Sequence, residues 1–140
     1  MPIGPNTALI LSASGCIFLG ALLLGVWKWR AMVTSTNGLA HPYVDVAHRA
    51  ALMYAFATGL IAAFVELSAW PSVVDLGAAA VIVTMFVVTI TNYIRLALQR
   101  ETDNQMRNAP RSMNFVLAAL ITGEIGGFGV LLAGLVAAQV

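Results

Sequence analysis

Charged side chains are scarce in this sequence. Of its 140 residues, 9% are Asp, Glu, Lys or Arg and 60% are hydrophobic. A soluble domain carries about 25% charged residues, because its surface must be solvated. The formal net charge is only +1, so the sequence lacks the strongly basic face that nucleic-acid binding requires. The composition therefore excludes a soluble globule and predicts a lipid bilayer as the surroundings of the chain.

Cysteine and the familiar catalytic motifs are almost absent as well. Cys16 is the only cysteine, which excludes an intrachain disulfide and a metal site built from cysteines. The sequence contains no glycine-rich phosphate loop, no HExxH zinc motif and no G-x-S-x-G nucleophile elbow. Nucleotide binding through a phosphate loop, zinc proteolysis and serine hydrolysis are therefore not expected.

Long hydrophobic runs are what the sequence has in abundance. Four of them cover residues 8–27, 44–69, 73–98 and 113–138, each near the ~20 residues that cross a bilayer as a helix. The first lacks a preceding Lys or Arg and is too long for a signal peptide, so we expect it to be retained. The pattern predicts one all-α domain over residues 1–140, a bundle of four transmembrane helices with antiparallel up-down topology.

The distribution of basic residues predicts the orientation of this bundle. Four crossings place both termini and the short turn at Pro71 on one side of the membrane and the two long connections on the other. An excess of Lys and Arg marks cytoplasmic connections. We therefore expect a multi-pass protein of the bacterial inner membrane with both termini outside. The long connections contain Lys28, Arg30, Arg100, Arg107 and Arg111, and the terminal side contains no Lys or Arg.

Polar residues at the start of the second segment are candidates for a site, because ionisable groups within a membrane are costly. Asp45, His48 and Arg49 share one helix face. Asp45 and Arg49 are spaced i, i+4 and can neutralise each other, which gives this pair a structural role. His48 has no such explanation. A neutral imidazole is a common metal ligand, and the alternative is a histidine that is only hydrogen-bonded.

A second polar group ends the third segment, at a depth similar to that of His48 because neighbouring helices are antiparallel. It contains Asn92, Tyr93 and Arg95. An amide inside a helix needs a hydrogen-bond partner, whereas Arg95 has the alternative of extending towards lipid phosphates. His41 precedes a proline in the first long connection and is expected at the surface.

Acidic residues also occur in the other segments. Glu124 lies ~16 Å into the fourth segment at 1.5 Å per residue. A carboxyl group at that depth must be protonated, paired or in a wet cavity. It either faces the bundle and is hydrogen-bonded, or it belongs to a proton path. Glu66 and Asp75 flank the Pro71 turn and are expected to be solvated.

Small residues mark a close-packed face on the fourth segment. Gly123, Gly127 and Gly134 are spaced by four and seven residues, so they lie along one stripe of the helix. The Gly123-x-x-x-Gly127 spacing permits close approach of a second helix. The stripe either packs within the bundle or forms a subunit interface.

Two short stretches resemble a known group of proteins. "AHRAALMYAFATG" (Ala47 to Gly59) and "TNYIRLA" on the third segment resemble styrene oxide isomerases and the related hydroxylaminobenzene mutases. These are small four-helix membrane proteins in which an Ala-His pair opens the second helix. The resemblance implies a homotrimer that binds haem b between subunits, with His48 as the axial ligand of the ferric iron.

The resemblance also implies roles for the neighbouring residues. The family has an asparagine six residues after the histidine, where this chain has Tyr54. Tyr93 is the nearest match to a family tyrosine late in the third helix, with Asn92 beside it. These three would be the catalytic residues and donate hydrogen bonds to a developing oxyanion. Arg49 and Arg95 would pair with the haem propionates.

The implied activity is a redox-neutral isomerisation of a small lipophilic substrate. With ferric iron as a Lewis acid, an aryl epoxide would be opened to a carbonyl compound, or the oxygen of a hydroxylamine would migrate to its ring. Two other classes of function remain open. One is a small helical subunit or assembly factor of a membrane complex without its own catalysis. The other is a transporter protomer in which Glu124 carries protons.

Overall fold

The computed structural model describes residues 3–107 and 109–140 of the chain. Within them the regular secondary structure is helical, and four helices are long and apolar enough to cross a membrane. The predicted all-α fold with four transmembrane segments is therefore confirmed. The elements are α1 (Pro5–Thr34), α2 (Pro42–Leu67), α3 (Ser72–Gln99), α4 (Ser112–Ile121), a π-helical turn (Thr122–Gly126) and α5 (Gly127–Ala137).

The ends of the helices differ from the predicted ones mainly in α1. This helix continues to Thr34, seven residues beyond the predicted end, so Lys28 lies in its last turns and not in the connection. α2 has proline at its first position, where the missing N–H costs no hydrogen bond. α3 ends at Gln99. Its C-cap residue, Arg100, has a φ of 56°, the left-handed conformation in which many helices terminate.

The core lies where α2, α3 and α5 meet, and α1 packs along α2. Large apolar side chains from four elements fill it: Ile10 of α1, Ile61 of α2, Phe86 of α3 and Leu131 of α5 are among them. A second, smaller cluster surrounds Tyr43 and Ala97, which joins the start of α2 to the end of α3. The neighbouring helices therefore run antiparallel, as the up-down topology predicts.

The first half of the fourth transmembrane segment diverges from this bundle. α4 packs chiefly on its own continuation, the π-helical turn. The structure describes every residue of α4, and none is buried; Phe115 is 79% exposed. The face of α2 and α3 at that depth therefore remains open within one chain.

The glycine stripe packs inside the chain. A methyl group at Gly127 would lie 2.8 Å from Ile82 Cγ1, and one at Gly123 would lie 3.2 Å from Met85 Cγ. At Gly134 a methyl group would overlap side chains of the turn between α2 and α3. The structure thus favours bundle packing over a subunit interface as the role of these glycines.

The chain termini and the Pro71 turn meet at one end of the bundle. The Glu66 carboxylate accepts hydrogen bonds from the backbone N–H of Gly4, at 3.1 Å, and from the Thr7 hydroxyl. Asn6 Nδ2 donates to the backbone oxygen of Ser72 at 3.0 Å. The expectation that Asp75 is solvated was wrong: it is 3% exposed, because α1 begins earlier than predicted and its first turn lies against the start of α3.

Candidate functional site

His48 faces α1 and is held there by a hydrogen bond. Its Nδ1 lies 2.9 Å from the backbone oxygen of Ala21. A carbonyl oxygen can only accept, so Nδ1 must carry the proton and donate. In the neutral imidazole, the other ring nitrogen, Nε2, then keeps its lone pair. This is the tautomer and the type of second hydrogen bond that metal-ligating histidines use.

A glycine on α1 provides the space for this imidazole. A methyl group at Gly25 would lie 2.9 Å from His48 Cε1 and 3.3 Å from Nδ1, closer than carbon atoms approach without displacement. Sequence reasoning missed both Gly25 and Ala21, because they precede His48 by more than twenty positions. A glycine on a neighbouring apolar helix is a weak signal, since Gly15 and Gly20 on the same helix have nothing within 4 Å of an added methyl group.

Asp45 has the structural role that its spacing indicated. Its carboxylate forms a salt bridge with Arg49 at 2.9 Å and another with Lys28 at 2.5 Å. The Lys28 pair joins α2 to α1 one turn from His48. It was not foreseen, because α1 was predicted to end before Lys28. Two cations on one carboxylate compensate its charge at the membrane boundary.

Tyr54 of α2 and Tyr93 of α3 lie on the side of α2 that faces away from His48 and its contact with α1. Both line a groove of about 310 Å³ between α2 and α3, together with Arg49. The Tyr54 ring stacks on Phe86, with ring centroids 4.2 Å apart and planes 9° from parallel. The Tyr93 ring stacks on Tyr43 at 6.0 Å. Aromatic stacking therefore restricts the orientation of both tyrosine rings.

Asn92 binds the connection between α3 and α4, and Arg95 binds Asn92. Asn92 Nδ2 donates to Gln105 Oε1 at 3.0 Å, and Arg95 donates to Asn92 Oδ1 at 3.3 Å. The backbone N–H of Gln105 donates to the Tyr43 hydroxyl. Asn92 thus finds the partners that an amide at this depth requires. Through Gln105, Asn92 is linked to Tyr43, which stacks on Tyr93.

His41, expected at the surface, is partly exposed and caps α2. Its Nδ1 accepts a hydrogen bond from the backbone N–H of Tyr43 at 3.3 Å. One of the four free N–H groups at the helix start is satisfied in this way. His41 therefore supports the position of Tyr43, which in turn contacts Tyr93.

One chain does not bring all the predicted site residues together. His48 contacts α1, whereas Tyr54 packs on Phe86 of α3. The two side chains therefore leave α2 in different directions. Tyr54, Tyr93 and Arg49 share the groove, Asn92 and Arg95 form an adjoining pair, and His48 stands apart from both groups.

The side chains available to bind a metal suit a cofactor that itself supplies most of the ligands of its metal ion. Among the residues that the structure describes, no three His, Cys, Asp or Glu side chains are close enough to hold a metal ion together. A haem needs only one or two protein ligands, because its porphyrin supplies four nitrogens. His48, with Nδ1 anchored and Nε2 free, fits that requirement.

Glu124 belongs to another part of the molecule. It lies in the π-helical turn and lines a cavity of about 430 Å³ between α2, α3 and α5, which the core residues Ile61 and Phe86 also line. π-helical turns within α-helices occur frequently at functional sites. Nothing in the local sequence predicted the turn.

No family model, no curated protein and no solved structure matches this chain. The chain is a multi-pass helical membrane protein.

Proposed function

We propose that this protein is a haem b-dependent isomerase of the membrane, which rearranges a small lipophilic epoxide or hydroxylamine without net oxidation or reduction. The observation that carries the proposal is the hydrogen bond between His48 Nδ1 and the backbone oxygen of Ala21. His48 is one of two histidines in the chain, and its Nδ1 donates to a backbone carbonyl so that Nε2 is free to bind a metal. Such a hydrogen bond orients the ring and raises the basicity of the ligand.

Three residues would hold the cofactor, with His48 contributed by one chain and Arg49 and Arg95 by the groove side of its neighbour. His48 would bind the iron through Nε2, and the exposed guanidinium groups of Arg49 and Arg95 would pair with the two propionates. Bound through a single imidazole, ferric haem supplies an open coordination position that acts as a Lewis acid. Asp45 already shares Arg49, so this arginine can turn between the two carboxylates with little cost at the water boundary.

Tyr54 and Tyr93 would act on the substrate. Together with the Arg49 guanidinium, their hydroxyl groups are the donors of an otherwise mostly apolar groove, and donors in such surroundings stabilise negative charge that develops on oxygen. Because Tyr54 stacks on Phe86 and Tyr93 on Tyr43, the hydroxyls are held without reorganisation. Asn92 would position Tyr93 through the connection that it binds.

The separation of His48 from Tyr54 and Tyr93 within one chain supports a homotrimer. A site that uses both His48 and the tyrosines needs the His48 side of one chain and the groove of the next. The open face beside α4 gives a second copy room to approach. Contacts between unlike faces close into a ring when the rotation permits, and a ring of three would contain three equivalent sites.

The proposal is tested by turnover of the two substrate classes. Haem-loaded protein in detergent is incubated with styrene oxide or phenylhydroxylamine, and the products are separated by chromatography. We expect an isomer of one substrate, phenylacetaldehyde or 2-aminophenol, to accumulate without added oxidant or reductant. His48→Ala should abolish the reaction. His41→Asn, which keeps a capping side chain, should retain it.

Two results would count against the proposal. One is the absence of isomerisation of either substrate by the haem-loaded wild-type protein. The other is full activity in His48→Ala, which would mean that the imidazole is not needed.

A further inference from the structure

The cavity beside Glu124 is apolar except for one carboxyl group. Its volume is about 430 Å³, and the other nine residues that line it are apolar, among them Phe86 and Phe128. Binding sites for small molecules have this character, with a mainly hydrophobic lining and a few polar groups that orient the ligand. Glu124 is the only lining residue that can select a ligand by charge.

At the depth of Glu124 in the membrane, an ionised carboxyl group without a partner costs free energy. Glu124 lies 12 residues after Ser112 and 13 before Ala137 in the fourth transmembrane segment, which places it near the middle of the bilayer. The salt bridges among the described residues involve Asp45 and Asp103, so Glu124 has no cationic partner there. Intramembrane carboxylates are usually paired and mark ligand or ion sites.

We infer that this cavity binds a lipophilic tertiary amine, whose ammonium group pairs with the Glu124 carboxylate and whose apolar body fills the space between α2, α3 and α5. The pairing supplies the missing positive charge. The apolar body packs against aromatic and aliphatic side chains, and the many close contacts add up to a favourable dispersion attraction.

The number of N–H donors selects the tertiary amine among amines. A primary ammonium group has three donors, and Glu124 satisfies only part of them. The remaining donors would be buried among apolar side chains without partners, which costs free energy. A protonated tertiary amine has one donor, and a single carboxylate accepts it. A quaternary ammonium ion has none and loses the hydrogen bond.

The ligand would enter from the bilayer. Leu60, Ile125 and Leu132 line the cavity and are exposed on the outer surface of the bundle. Lipid surrounds this surface in a membrane, so a lipophilic amine can partition into the bilayer and then enter sideways. The site does not involve His48, which lies against α1, and this inference stands whether or not the protein binds haem.

The test measures binding of matched probes to the protein in nanodiscs by equilibrium dialysis, with empty nanodiscs subtracted. The probes are N,N-dimethyl-2-phenylethylamine, its neutral isostere (3-methylbutyl)benzene and the trimethyl(2-phenylethyl)ammonium ion. We expect saturable binding of one tertiary amine per chain, and binding of the other two probes at least about tenfold weaker, which corresponds to the loss of about 1.4 kcal/mol.

Four variants locate the site. Glu124→Gln keeps the shape of the side chain and should weaken binding of the tertiary amine at least about tenfold. Gly129→Leu should block the cavity, because Gly129 lines it and has free space beside its Cα. Gly126→Leu adds the same side chain to a neighbouring glycine outside the lining and should leave binding unchanged. His48→Ala should also leave it unchanged.

Three outcomes would overturn the inference. Equal binding of the tertiary amine by wild-type protein and folded Glu124→Gln would show that the carboxylate does not pair with it. Retention no greater than in empty nanodiscs would show partition into lipid alone. Failure of the amine to bind while Gly129→Leu dissociates an oligomer would assign the cavity to a second copy of this chain.

Discussion

At the scale of single residues, the position of His48 depends on α1 more than on its own helix. The Ala21 carbonyl fixes which ring nitrogen carries the proton, and Gly25 leaves room for the ring. The salt bridge from Asp45 to Lys28 joins the same two helices one turn away. A change on α1 should therefore alter the chemistry of a side chain on α2.

Gly25→Ala tests this dependence without touching the histidine. The added methyl group would lie 2.9 Å from His48 Cε1 and should push the ring off the Ala21 carbonyl. Loss of such a supporting contact weakens metal binding about 10- to 100-fold, so we expect a corresponding loss of haem affinity in a haem titration. Gly20→Ala, where the methyl meets nothing within 4 Å, is the matched control. Equal affinity in the two variants would contradict the role given to Gly25.

Substitutions of Tyr54 separate its hydroxyl from its ring. Tyr54→Phe keeps the stacking on Phe86 and removes the hydrogen-bond donor, so kcat should fall about 100-fold, as for the loss of an oxyanion donor. The visible spectrum should stay the same. Tyr54→Asn should shift the substrate preference towards aryl epoxides, measured as the ratio of kcat/KM values. An unchanged substrate profile would mean that Tyr54 does not contact the substrate.

Residues near one another in the chain could be predicted, and residues brought together by folding could not. The Asp45–Arg49 pair follows from its spacing on a helix. The tautomer of His48 follows from Ala21, 27 positions earlier, which no local pattern reveals. Asp75 was predicted wrongly, because its burial depends on where α1 begins relative to α3.

At the scale of elements, the fourth transmembrane segment combines a packed half and an open half. Glycines bring the π-helical turn and α5 against α3, whereas α4 has no buried residue. The π-helical turn lies at the junction. Hydropathy predicted the four helices, because a chain in lipid must satisfy its backbone hydrogen bonds internally. It could not predict the turn, which accompanies packing against a distant helix.

Gly127→Ala should destabilise the bundle through its contact with α3. The methyl group would lie 2.8 Å from Ile82 Cγ1 and 3.2 Å from the backbone oxygen of Ala78. We expect a loss of about 1–3 kcal/mol in the free energy of unfolding, the usual cost of overpacking. Unfolding in denaturing detergent, followed by circular dichroism, measures it.

Gly126→Ala is the control for this prediction, since its methyl group meets nothing within 4 Å. Alanine favours helix over glycine by about 0.8–1.0 kcal/mol in aqueous helices, so this variant should be at least as stable as the wild type. Equal destabilisation by both substitutions would show that close packing on α3 is not what Gly127 provides.

At the scale of the whole molecule, hydrogen bonds join neighbouring elements at both ends of the bundle. Glu66 joins the start of α1 to the end of α2 at one end, and Gln105 joins the α3–α4 connection to Tyr43 at the other. This up-down arrangement was predictable from hydropathy and turn length. Which end faces the cytoplasm rests on the basic residues of the long connections and stays a prediction.

Cysteine labelling in intact cells tests the orientation. In a Cys16→Ala background, Gln139→Cys should react with a membrane-impermeant maleimide added from outside. Asp103→Cys, in the exposed connection after α3, should react only after the membrane is permeabilised. The reverse pattern would mean that the charge distribution does not set the topology.

The central claim is that His48 is the protein ligand of a bound haem, and the visible spectrum of the protein purified in detergent from haem-replete cells tests it directly. We expect a Soret band in the wild type and in His41→Asn, and its loss in His48→Ala at unchanged helical content. A colourless wild-type protein, or an identical Soret band in His48→Ala, would contradict the account.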